Sequence, residues 1–324
     1  MLGLAAALLI SASLGACGLG GSTKLTHATL VLDFVPNAVH AGVYRALAAG
    51  YYRQEGIDLR VIPPTSTSTT LALIAAGKAD FGFADGSDVA TQIADGRHAV
   101  AIMAIAQRPL GGLIALASEH LHSPAQLQGR TVGITGVASD TAVLDTEVRA
   151  AGGNPAKVHV VDVGFNGAQD LADHRIAAFT GFWPDDGVQL QVSGHPITVF
   201  RLDQYGGPPY PGLVAFTTRA MIRHDPKLVS EFVAATVHGY NDTIHDPQRS
   251  LDDLLKLNPG LQRRFTAASL EDYLPLYNDF GLAHFGVLRK RNIAALSSWM
   301  VAHHLIPHPI RPSRYGTNRF LPIR

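Results

Sequence analysis

Aromatic, amide and imidazole side chains are concentrated in the segment 32–44, in a spacing that suits recognition of a small ring. Phe34 offers a flat apolar face for stacking on a ligand ring, and Asn37 can either cap the helix that follows or donate to a ligand. His40 and Tyr44 are one helical turn apart and therefore lie on one side of that helix. From residue type alone, Phe34 and Tyr44 are equally well explained as core residues and Asn37 as a helix cap.

Carboxylates and hydroxyls occur at two further positions where a strand gives way to a helix. Asp85 and Asp88 follow a short apolar strand, and their carboxylates can bind ligand amino groups or simply cap the next helix, which is the more frequent use. In the segment 136–141, Ser139 and Asp140 are good caps, and the backbone N–H groups there can hold a polar or anionic part of a ligand. The alternative is a capped helix with no ligand.

Two aromatic residues later in the chain are further candidates for stacking. Trp183 lies in the run 181–187, where it either stacks on a ligand or packs between domains. Tyr210 lies in the segment 206–214, which is rich in Gly and Pro, and can stack on a ligand or hydrogen-bond to it. The Gly and Pro residues suit a hinge, and a plain inter-domain loop is the alternative for this segment.

The histidines do not indicate a metal site, although the chain has 15 of them. His303, His304 and His308 lack the i, i+4 spacing of a metalloprotease pair, no carboxylate lies between them, and prolines interrupt the helix there. We find no nucleophile elbow, phosphate-binding loop or dinucleotide fingerprint. The sequence therefore predicts no catalytic residue, no metal and no cofactor.

Composition and charge favour a compact protein that takes its ligand in a cleft. The 324 residues are 47% hydrophobic and 16% charged, with a mean hydropathy of +0.13. This length is enough for two domains, and the composition excludes a largely disordered chain. Because 26 basic and 26 acidic residues cancel, with no basic run, nucleic acid is not a predicted partner.

The first residues are typical of a secretory leader. Residues 2–14 form a short apolar run that ends in small residues, and the following Leu14-Gly15-Ala16-Cys17 resembles a bacterial lipobox. We therefore predict a signal peptide at 1–16 and a lipidated N-terminus and linker at 17–26, with Cys17 carrying the lipid. The expected location is extracytoplasmic, anchored to a bacterial membrane through Cys17.

Strand-like and helix-like segments alternate along the chain and must position these side chains. Strands are predicted at 29–33, 57–62, 81–84, 100–106, 113–117, 131–135, 158–163, 177–180 and 213–216. Helices are predicted at 38–53, 69–76, 87–94, 139–151, 168–173, 226–244, 251–257, 270–280 and 290–304.

This order predicts an α/β protein with a two-lobed type II periplasmic-binding fold, in which each lobe is a mixed sheet flanked by helices. Lobe 1 is expected at 27–111 plus 213–324 and lobe 2 at 112–212, with crossovers near Gly111 and Gly212. Ligands bind at the carboxyl ends of strands in such sheets, where most of the candidate residues lie.

The segment 32–44, followed by Gly50-Tyr51-Tyr52 and Glu55-Gly56-Ile57, resembles the opening of the thiamine-pyrimidine-precursor binding proteins. That family is related to alkanesulfonate-binding proteins and to fungal-type thiamine pyrimidine synthases. Phe34 stands where the family usually has Trp. The segments 76–83, 163–166, 181–187 and 206–214 extend the resemblance along most of the mature chain.

The resemblance implies further site residues and a function. It adds Asn166, and it gives Asp186 the role of the family's Glu, which binds the aminopyrimidine. The implied function is the solute-binding component of an ABC importer, whose lobes close on a thiamine pyrimidine precursor, formylaminopyrimidine or hydroxymethylpyrimidine. The implied partners are a small aromatic heterocycle, the permease and ATPase subunits, and the membrane through the lipid anchor.

Two kinds of alternative remain open. Related binding proteins take riboflavin, an alkanesulfonate or nitrate, although a sulfonate site would need Arg or a ring of donors. The family also contains a synthase that consumes a pyridoxal cofactor and its own histidine, but the segment 83–88 lacks the Lys and His that this chemistry uses. The sequence therefore favours a binding protein over an enzyme.

Overall fold

A computed structural model describes residues 25–322 of the chain. The predicted signal peptide, Cys17 and most of the predicted linker lie outside these residues. The described part contains ten strands, which form two five-stranded sheets. The strands are β1 Thr26–Val31, β2 Ile57–Ile62, β3 Phe81–Ala84, β4 Ala99–Ala106, β5 Gly111–Leu116, β6 Thr131–Ile134, β7 His159–Asp162, β8 Ala178–Phe182, β9 Ile197–Arg201 and β10 Leu213–Thr218.

The helices pack on both sheets and, after β10, make up the rest of the chain. They are α1 Ala41–Ala48, α2 Tyr51–Gln54, α3 Thr67–Ala75, α4 Gly86–Ala94, α5 Ala138–Ala150, α6 Gly167–Ala172, α7 Val188–Val192, α8 Arg219–His224, α9 Pro226–His245, α10 Pro247–Leu257, α11 Arg263–Tyr277, α12 Lys290–Ala302 and α13 Pro312–Tyr315. Within residues 25–322, none of them is both long enough and apolar enough to cross a membrane.

The two sheets share one plan. The first has the order β2-β1-β3-β10-β4 and the second β7-β6-β8-β5-β9. In each sheet three neighbouring strands are parallel, and the fourth strand in the order is antiparallel to both of its neighbours. These antiparallel strands, β10 and β5, are the ones that follow the two passages of the chain between the sheets. The predicted fold class, two mixed sheets flanked by helices, is confirmed.

The chain passes from the first sheet to the second between β4 and β5, and returns between β9 and β10. We propose that these passages divide the chain into the two lobes predicted from the sequence. The first lobe then carries the sheet with β1 to β4 and β10, and the second lobe carries the sheet with β5 to β9.

The burial of the strands follows their place in the sheets. Every residue of β4, whose sequence is a continuous apolar run, is buried. Such a run without alternation is typical of a strand that is covered on both faces. By contrast, all four residues of β7 at the edge of the second sheet are exposed.

Several elements differ from the sequence prediction: α7, α8 and α13 were not predicted, and α11 spans Arg263–Tyr277 where a helix was predicted at 270–280. The helix predicted at 38–53 is a 3-10 turn, Ala38–His40, followed by α1 and α2, and Gly50 between the two helices has a φ of +76°. Because this left-handed conformation is open to glycine at little cost, Gly50 ends α1 earlier than predicted. No strand is predicted at 197–201, where β9 lies, although its β-branched run Ile197-Thr198-Val199 is a normal strand signal.

The start of α1 is held close to α9. A Cβ atom at Gly42 would lie 2.3 Å from Cγ of Tyr240, so the helices can approach this closely only with glycine there. Tyr240 donates from its hydroxyl to the carbonyl of Val39 at 2.7 Å. Tyr277 on α11 also donates to Val39, at 3.1 Å. These buried tyrosines fix the 3-10 turn and, with it, the position of Asn37.

Candidate ligand-binding site

One cavity lies where residues that follow strands of both sheets face each other. Its volume is about 100 Å³, several times the volume that one water molecule needs, so it can hold a small molecule. From the first sheet it is lined by residues after β1 and β3, and from the second by residues after β6 and β8. The lining includes Asp33, Phe34, Asn37, Phe83, Asp85, Asp88, Ser139, Asp140, Phe165, Thr180, Phe182, Asp185, Asp186 and Tyr210.

Most of the side chains predicted from the sequence meet in this cavity. Those that line it are Phe34, Asn37, Asp85, Asp88, Ser139, Asp186 and Tyr210. The structure places the others outside its lining, and these are His40, Tyr44, Asn166 and Trp183. The lining thus comes from segments up to 177 positions apart, the separation between Asp33 and Tyr210.

His40 lies behind the cavity lining and contacts one of the lining residues, Asp33. Its ring is completely buried, and Nε2 lies 2.8 Å from Oδ1 of Asp33. The backbone N–H of Asn37 donates to Nδ1 of His40 at 3.2 Å. Because Nδ1 accepts this bond, the proton of the neutral ring is on Nε2, which donates to Asp33. His40 therefore holds the Asp33 carboxylate in place instead of contacting a ligand.

The other three predicted residues lie elsewhere. Tyr44 is buried in the hydrophobic core of the first lobe, so the core explanation for it is correct. Trp183 packs under the guanidinium of Arg201, whose Cζ is 4.4 Å from the ring centre. Asn166 is exposed, whereas its neighbour Phe165 lines the cavity. In this segment the structure thus places Phe165, and not the predicted Asn166, in the cavity lining.

Ser139 and Asp140 do not cap α5, contrary to the prediction. The helix begins after Val137, which makes no side-chain cap. Ser139 donates from Oγ to Oδ1 of Asp88 at 2.8 Å, which joins α5 of the second lobe to α4 of the first. Asp140 instead accepts from the N–H of Thr135, at 2.7 Å, and from its hydroxyl, at 2.6 Å. Both side chains face the cavity because the helix begins earlier than predicted.

Asp85 has the capping role that the sequence favoured. Its Oδ1 accepts from the backbone N–H of Ser87 at 2.7 Å and from the Ser87 hydroxyl at 2.6 Å. Its other oxygen accepts a long hydrogen bond from the hydroxyl of Tyr210, at 3.4 Å. Asp85 therefore fixes the start of α4 and, with it, the position of Asp88 one turn later.

A single turn of π-helix, Trp183–Gly187, brings two neighbouring carboxylates to the cavity. Such turns are rare and often occur at functional sites. Asp185 accepts from Nδ2 of Asn37 at 2.9 Å and from Oγ of Ser269 at 3.2 Å. Asp186 accepts from the N–H of Phe182 at 2.8 Å. Only Asp186 of the two was predicted as a site residue, because the resemblance places it at the position of the family's Glu.

The cavity is acidic and contains no side chain that can neutralise it. Six aspartates line it, and no Lys, Arg or His is among the described residues that do. Sequence reasoning missed three of these aspartates as site residues, namely Asp33, Asp140 and Asp185. They lie in the segments that it singled out, so their proximity to the candidate residues was the available signal.

Burial raises the pKa of several of these carboxyl groups. The pKa of Asp140 rises to about 6, that of Asp88 to about 7 and that of Asp186 to about 8, in each case chiefly because burial disfavours the charged form. The pKa of Asp185 also rises to about 7 through burial, and that of Asp85 rises well above its usual value. Repulsion between neighbouring carboxylates adds to the shifts of Asp85, Asp88, Asp185 and Asp186. The cavity therefore shares protons among its carboxyl groups near neutral pH.

Aromatic rings complete the lining. Phe34 of the first lobe and Phe165 of the second meet edge to face, with ring centres 4.4 Å apart. Phe83, Phe182 and Tyr210 also line the cavity. Flat apolar faces combined with carboxylate acceptors suit a planar ring that carries N–H donors. Within residues 25–322, no cluster of three or more His, Cys, Asp or Glu side chains has a metal-binding arrangement.

Comparisons with known proteins agree with this architecture. The chain is 30% identical over 287 residues to the formylaminopyrimidine-binding protein of Halalkalibacterium halodurans. The aligned residues cover 87% of this chain and 86% of the relative. It is 26% identical to the riboflavin-binding protein RibY of Chloroflexus aurantiacus, over 92% of this chain and 87% of the relative. It is 25% identical to the 4-amino-5-hydroxymethyl-2-methylpyrimidine phosphate synthase of Legionella pneumophila, over 79% of this chain and 82% of the relative.

Solved structures with the same fold are more distant in sequence. The alkanesulfonate-binding protein SsuA from Xanthomonas axonopodis pv. citri, bound to MOPS, matches with a TM-score of 0.71 and 14% identity, over 91% of this chain and 99% of that one. A ligand-binding component of an ABC-type import system from Staphylococcus aureus, with zinc bound, matches with a TM-score of 0.72 and 11% identity, over 91% and 97%. The fold is thus that of the periplasmic binding proteins.

The model of the family described as NMT1/THI5 like matches residues 37–250, a range that begins at Asn37 and contains most of the cavity lining. Together with the relative at 30% identity over most of both chains, this match is decisive. The chain belongs to the NMT1/THI5-like family.

Proposed function

We propose that this protein is the extracytoplasmic solute-binding component of an ABC importer and binds a thiamine pyrimidine precursor between two closing lobes. The observation that carries the proposal is the cavity itself, in which aromatic rings and six aspartates from both lobes surround a space for a small molecule. A 4-aminopyrimidine presents a flat ring and an exocyclic amine, and so matches both kinds of lining. The name of the relative at 30% identity, a formylaminopyrimidine-binding protein, supports the same ligand class.

Asp186 is the residue that we expect to bind the aminopyrimidine. One of its oxygens accepts from the backbone N–H of Phe182, which fixes the carboxyl group in the cavity wall. The exocyclic amine can donate to the other oxygen. Because the pKa of Asp186 is about 8, the carboxyl group can also hold a proton for a ring nitrogen. A carboxyl group and an aminopyrimidine edge then form two parallel hydrogen bonds, which gives directional specificity.

Ligand binding would act by domain closure. Three contacts join the lobes around the cavity, and these are Asn37 with Asp185, Ser139 with Asp88, and Phe34 with Phe165. A ligand that touches both walls stabilises the arrangement in which these contacts are made, because it binds more tightly there than to separated lobes. The closed protein would then present its surface to the permease and ATPase partners.

Anionic ligands fit this cavity poorly. The sulfonate or nitrate of related binding proteins would lie among six aspartates with no cationic side chain in the described lining. Two unit charges at 4 Å repel by about 4 kcal/mol at an effective dielectric constant near 20. Riboflavin remains the second candidate, because a relative at 26% identity is named a riboflavin-binding protein and because the flat ring of riboflavin suits the aromatic lining.

An enzyme of the synthase type is disfavoured by the lining. A pyridoxal phosphate cofactor would need a lysine for a Schiff base and donors for its phosphate. Among the described residues that line the cavity there is no lysine, and the carboxylates there would repel a phosphate. His40 is buried beneath the lining and bonded to Asp33. The residues of this cavity therefore do not fit that cofactor, although a synthase is among the relatives.

Membrane anchoring through Cys17 is part of the proposal and rests on the lipobox-like sequence. Expression of the full chain in a bacterial host should place the protein in the membrane fraction, released by detergent but not by salt. The Cys17→Ala variant should leave that fraction. Retention of the variant on the membrane would contradict an anchor at this residue.

A thermal-shift panel on the purified protein tests the ligand. A ligand present at 100 times its dissociation constant adds about 2.7 kcal/mol to the free energy of unfolding. We expect stabilisation by formylaminopyrimidine or hydroxymethylpyrimidine and none by taurine or nitrate. Stabilisation by riboflavin alone would show that riboflavin, and not a pyrimidine, is the ligand. A Schiff-base adduct with pyridoxal phosphate in an intact mass spectrum would support the synthase alternative.

A further inference from the structure

Three of the cavity aspartates are bound to the protein through one oxygen and leave the other available. Asp88 accepts from Ser139 through Oδ1, Asp140 from Thr135 through Oδ2, and Asp186 from Phe182 through Oδ2. The second oxygens of Asp88 and Asp186 accept no hydrogen bond from the described part of the chain, and the Asp140 carboxyl group has, besides Thr135, only the Thr180 hydroxyl and the backbone N–H of Val137 close to it. These oxygens are acceptors held in fixed positions and directed to a ligand from both lobes.

Thr180 adds an unpartnered hydroxyl to the same place. Its side chain lines the cavity and is 2% exposed, and Oγ1 makes no hydrogen bond of normal geometry with any described residue. Leaving such a buried group unpaired is unfavourable. The Asp140 carboxyl group lies next to it. A hydroxyl beside a carboxylate can accept from a ligand N–H, so Thr180 independently indicates a donor at this end of the cavity.

Negative charge is concentrated around Asp85, Asp88 and Asp140, and no cationic side chain in the described lining balances it. Asp88 and Asp140 both raise the pKa of Asp85, and Asp140 also raises the pKa of Asp88. Asp186 interacts chiefly with Asp185 and less strongly with Asp140. If Asp186 binds the edge of the heterocycle, the Asp88 and Asp140 end still faces the ligand with free acceptors and no cation.

We propose that the ligand carries a primary ammonium group in addition to its aminopyrimidine ring, and that Asp88, Asp140 and Thr180 bind that ammonium. This inference rests on the proposed function, since it assumes that the heterocycle edge is bound by Asp186. An ammonium group has three N–H donors and a full positive charge, which match two carboxylate oxygens and one hydroxyl.

Other substituents at the same ring position match less well. A hydroxymethyl group has one donor for these acceptors and no charge. A formylaminomethyl group has one N–H, and its carbonyl oxygen is an acceptor that would face carboxylates. The ligand class is therefore an aminomethylpyrimidine, which is formylaminopyrimidine without its formyl group.

Proton release accompanies binding of an ammonium. The titratable groups that interact with Asp88 or Asp140 are the carboxyl groups of Asp85 and Asp186 and the hydroxyls of Tyr210 and Tyr315. No cation is among them, so an ammonium favours the ionised carboxylates and displaces their protons. For one carboxyl group with a pKa of about 7, affinity rises about tenfold between pH 6 and pH 8.

The experiment compares three pyrimidines that share the 4-amino-2-methyl ring and differ at position 5, namely the aminomethyl, hydroxymethyl and formylaminomethyl compounds. Isothermal titration calorimetry of the whole protein should give the lowest Kd, by at least tenfold, for the aminomethyl compound. Its Kd should fall as pH rises from 6 to 8, with proton release that shows as a dependence of the heat on buffer ionisation. Binding of the three compounds within threefold of each other would overturn the inference and leave the proposed function intact. Binding of none of them would instead contradict the proposed function.

Variants separate the ammonium end from the rest of the cavity. Asp140→Asn keeps an oxygen that can accept from Thr135, and it should weaken the aminomethyl compound at least tenfold and the hydroxymethyl compound less than threefold. Asp95→Asn, on the exposed C-terminal end of α4, is the matched control and should change neither. If Asp140→Asn does not fold, Thr180→Val provides the same comparison. Equal losses for both compounds in the variant that folds would overturn the inference.

Discussion

Asn37 and Asp185 are joined by a hydrogen bond of 2.9 Å from Nδ2 to Oδ2, although 148 positions separate them in the chain. The same Asn37 side chain accepts from the N–H of Val39 at 3.0 Å, so its oxygen caps the 3-10 turn while its nitrogen reaches the other lobe. One side chain therefore couples the local structure after β1 to the closure of the cavity. Of the two roles that the sequence suggested for Asn37, capping is present, and the amide nitrogen that was expected to donate to a ligand donates to Asp185 across the cleft.

Removal of this amide should separate its two roles. Asn37→Ala should lower the free energy of unfolding by about 0.5–2 kcal/mol through loss of the cap, and should also weaken ligand binding because the contact with Asp185 is lost. Asn154 is a matched control, since it is an exposed asparagine that caps another 3-10 helix by accepting from Ala156 at 3.1 Å. Asn154→Ala should leave the Kd unchanged. Chemical denaturation and calorimetry measure the two quantities, and equal Kd values in both variants would contradict a role in closure.

Asp186 should contribute to binding far more than to folding at neutral pH. Asp186→Asn keeps an oxygen that can accept from Phe182, and at pH 7 it replaces a carboxyl group that is mostly protonated, because its pKa is about 8. We expect the variant to be more stable than the original protein at pH 7, because folding no longer requires proton uptake at this position. We also expect a loss of about 1.5–3 kcal/mol in the binding of aminopyrimidine, roughly tenfold to a hundredfold in Kd. Asp173→Asn, at an exposed position of the second lobe, should bind normally. Unchanged affinity in Asp186→Asn would remove Asp186 from the site.

The aromatic pair across the cleft should contribute a smaller amount. Phe34→Leu keeps an apolar side chain but loses the ring that meets Phe165 and that can stack on a ligand. We expect the Kd to rise by roughly threefold to tenfold, which corresponds to about 0.5–1.5 kcal/mol for one aromatic contact. Phe280→Leu, at a half-buried position outside the cavity lining, is the control for a general effect of ring removal. If both variants bind alike, the Phe34 ring has no specific role.

The stability of the ligand-free protein should fall as pH rises from about 4 to 8. The folded-state pKa of Asp186 is about 8 and that of Asp88 about 7, both above the value near 3.9 expected in the unfolded chain. In this window the folded state binds more protons than the unfolded state, so raising the pH destabilises it by at most about 1.4 kcal/mol per pH unit for each such group. Urea denaturation at several pH values measures the slope.

The variant Asp186→Asn isolates the contribution of one carboxyl group to that slope. Subtracting its stability from that of the original protein cancels the other titrating groups, so the difference should decline between pH 4 and 8 and level off above pH 8. A difference that does not depend on pH would show that the Asp186 carboxyl group titrates normally in the folded protein.

The sequence by itself was sufficient for the architecture. Runs such as the continuous apolar β4 and the alternation of strands with helices predict two mixed sheets, because hydrophobic periodicity and turn residues act over a few neighbouring positions. The segments that line the cavity were also predictable, since ligands in such sheets bind where strands end. Within those segments Phe34 and Asp88 are examples of side chains that residue type and position indicate, whereas Asp186 was indicated by the family resemblance.

Only the tertiary structure decided which neighbouring side chain faces the ligand and what its charge is. Phe165 faces the cavity instead of Asn166, and the π-turn brings both Asp185 and Asp186 to it, because a shift of one residue redirects a side chain and depends on packing between distant segments. Tyr240 and Tyr277, which hold the turn before α1, lie some 200 positions or more from the carbonyl that they contact. The raised pKa values likewise arise from burial by both lobes together, a property that no local stretch of sequence contains.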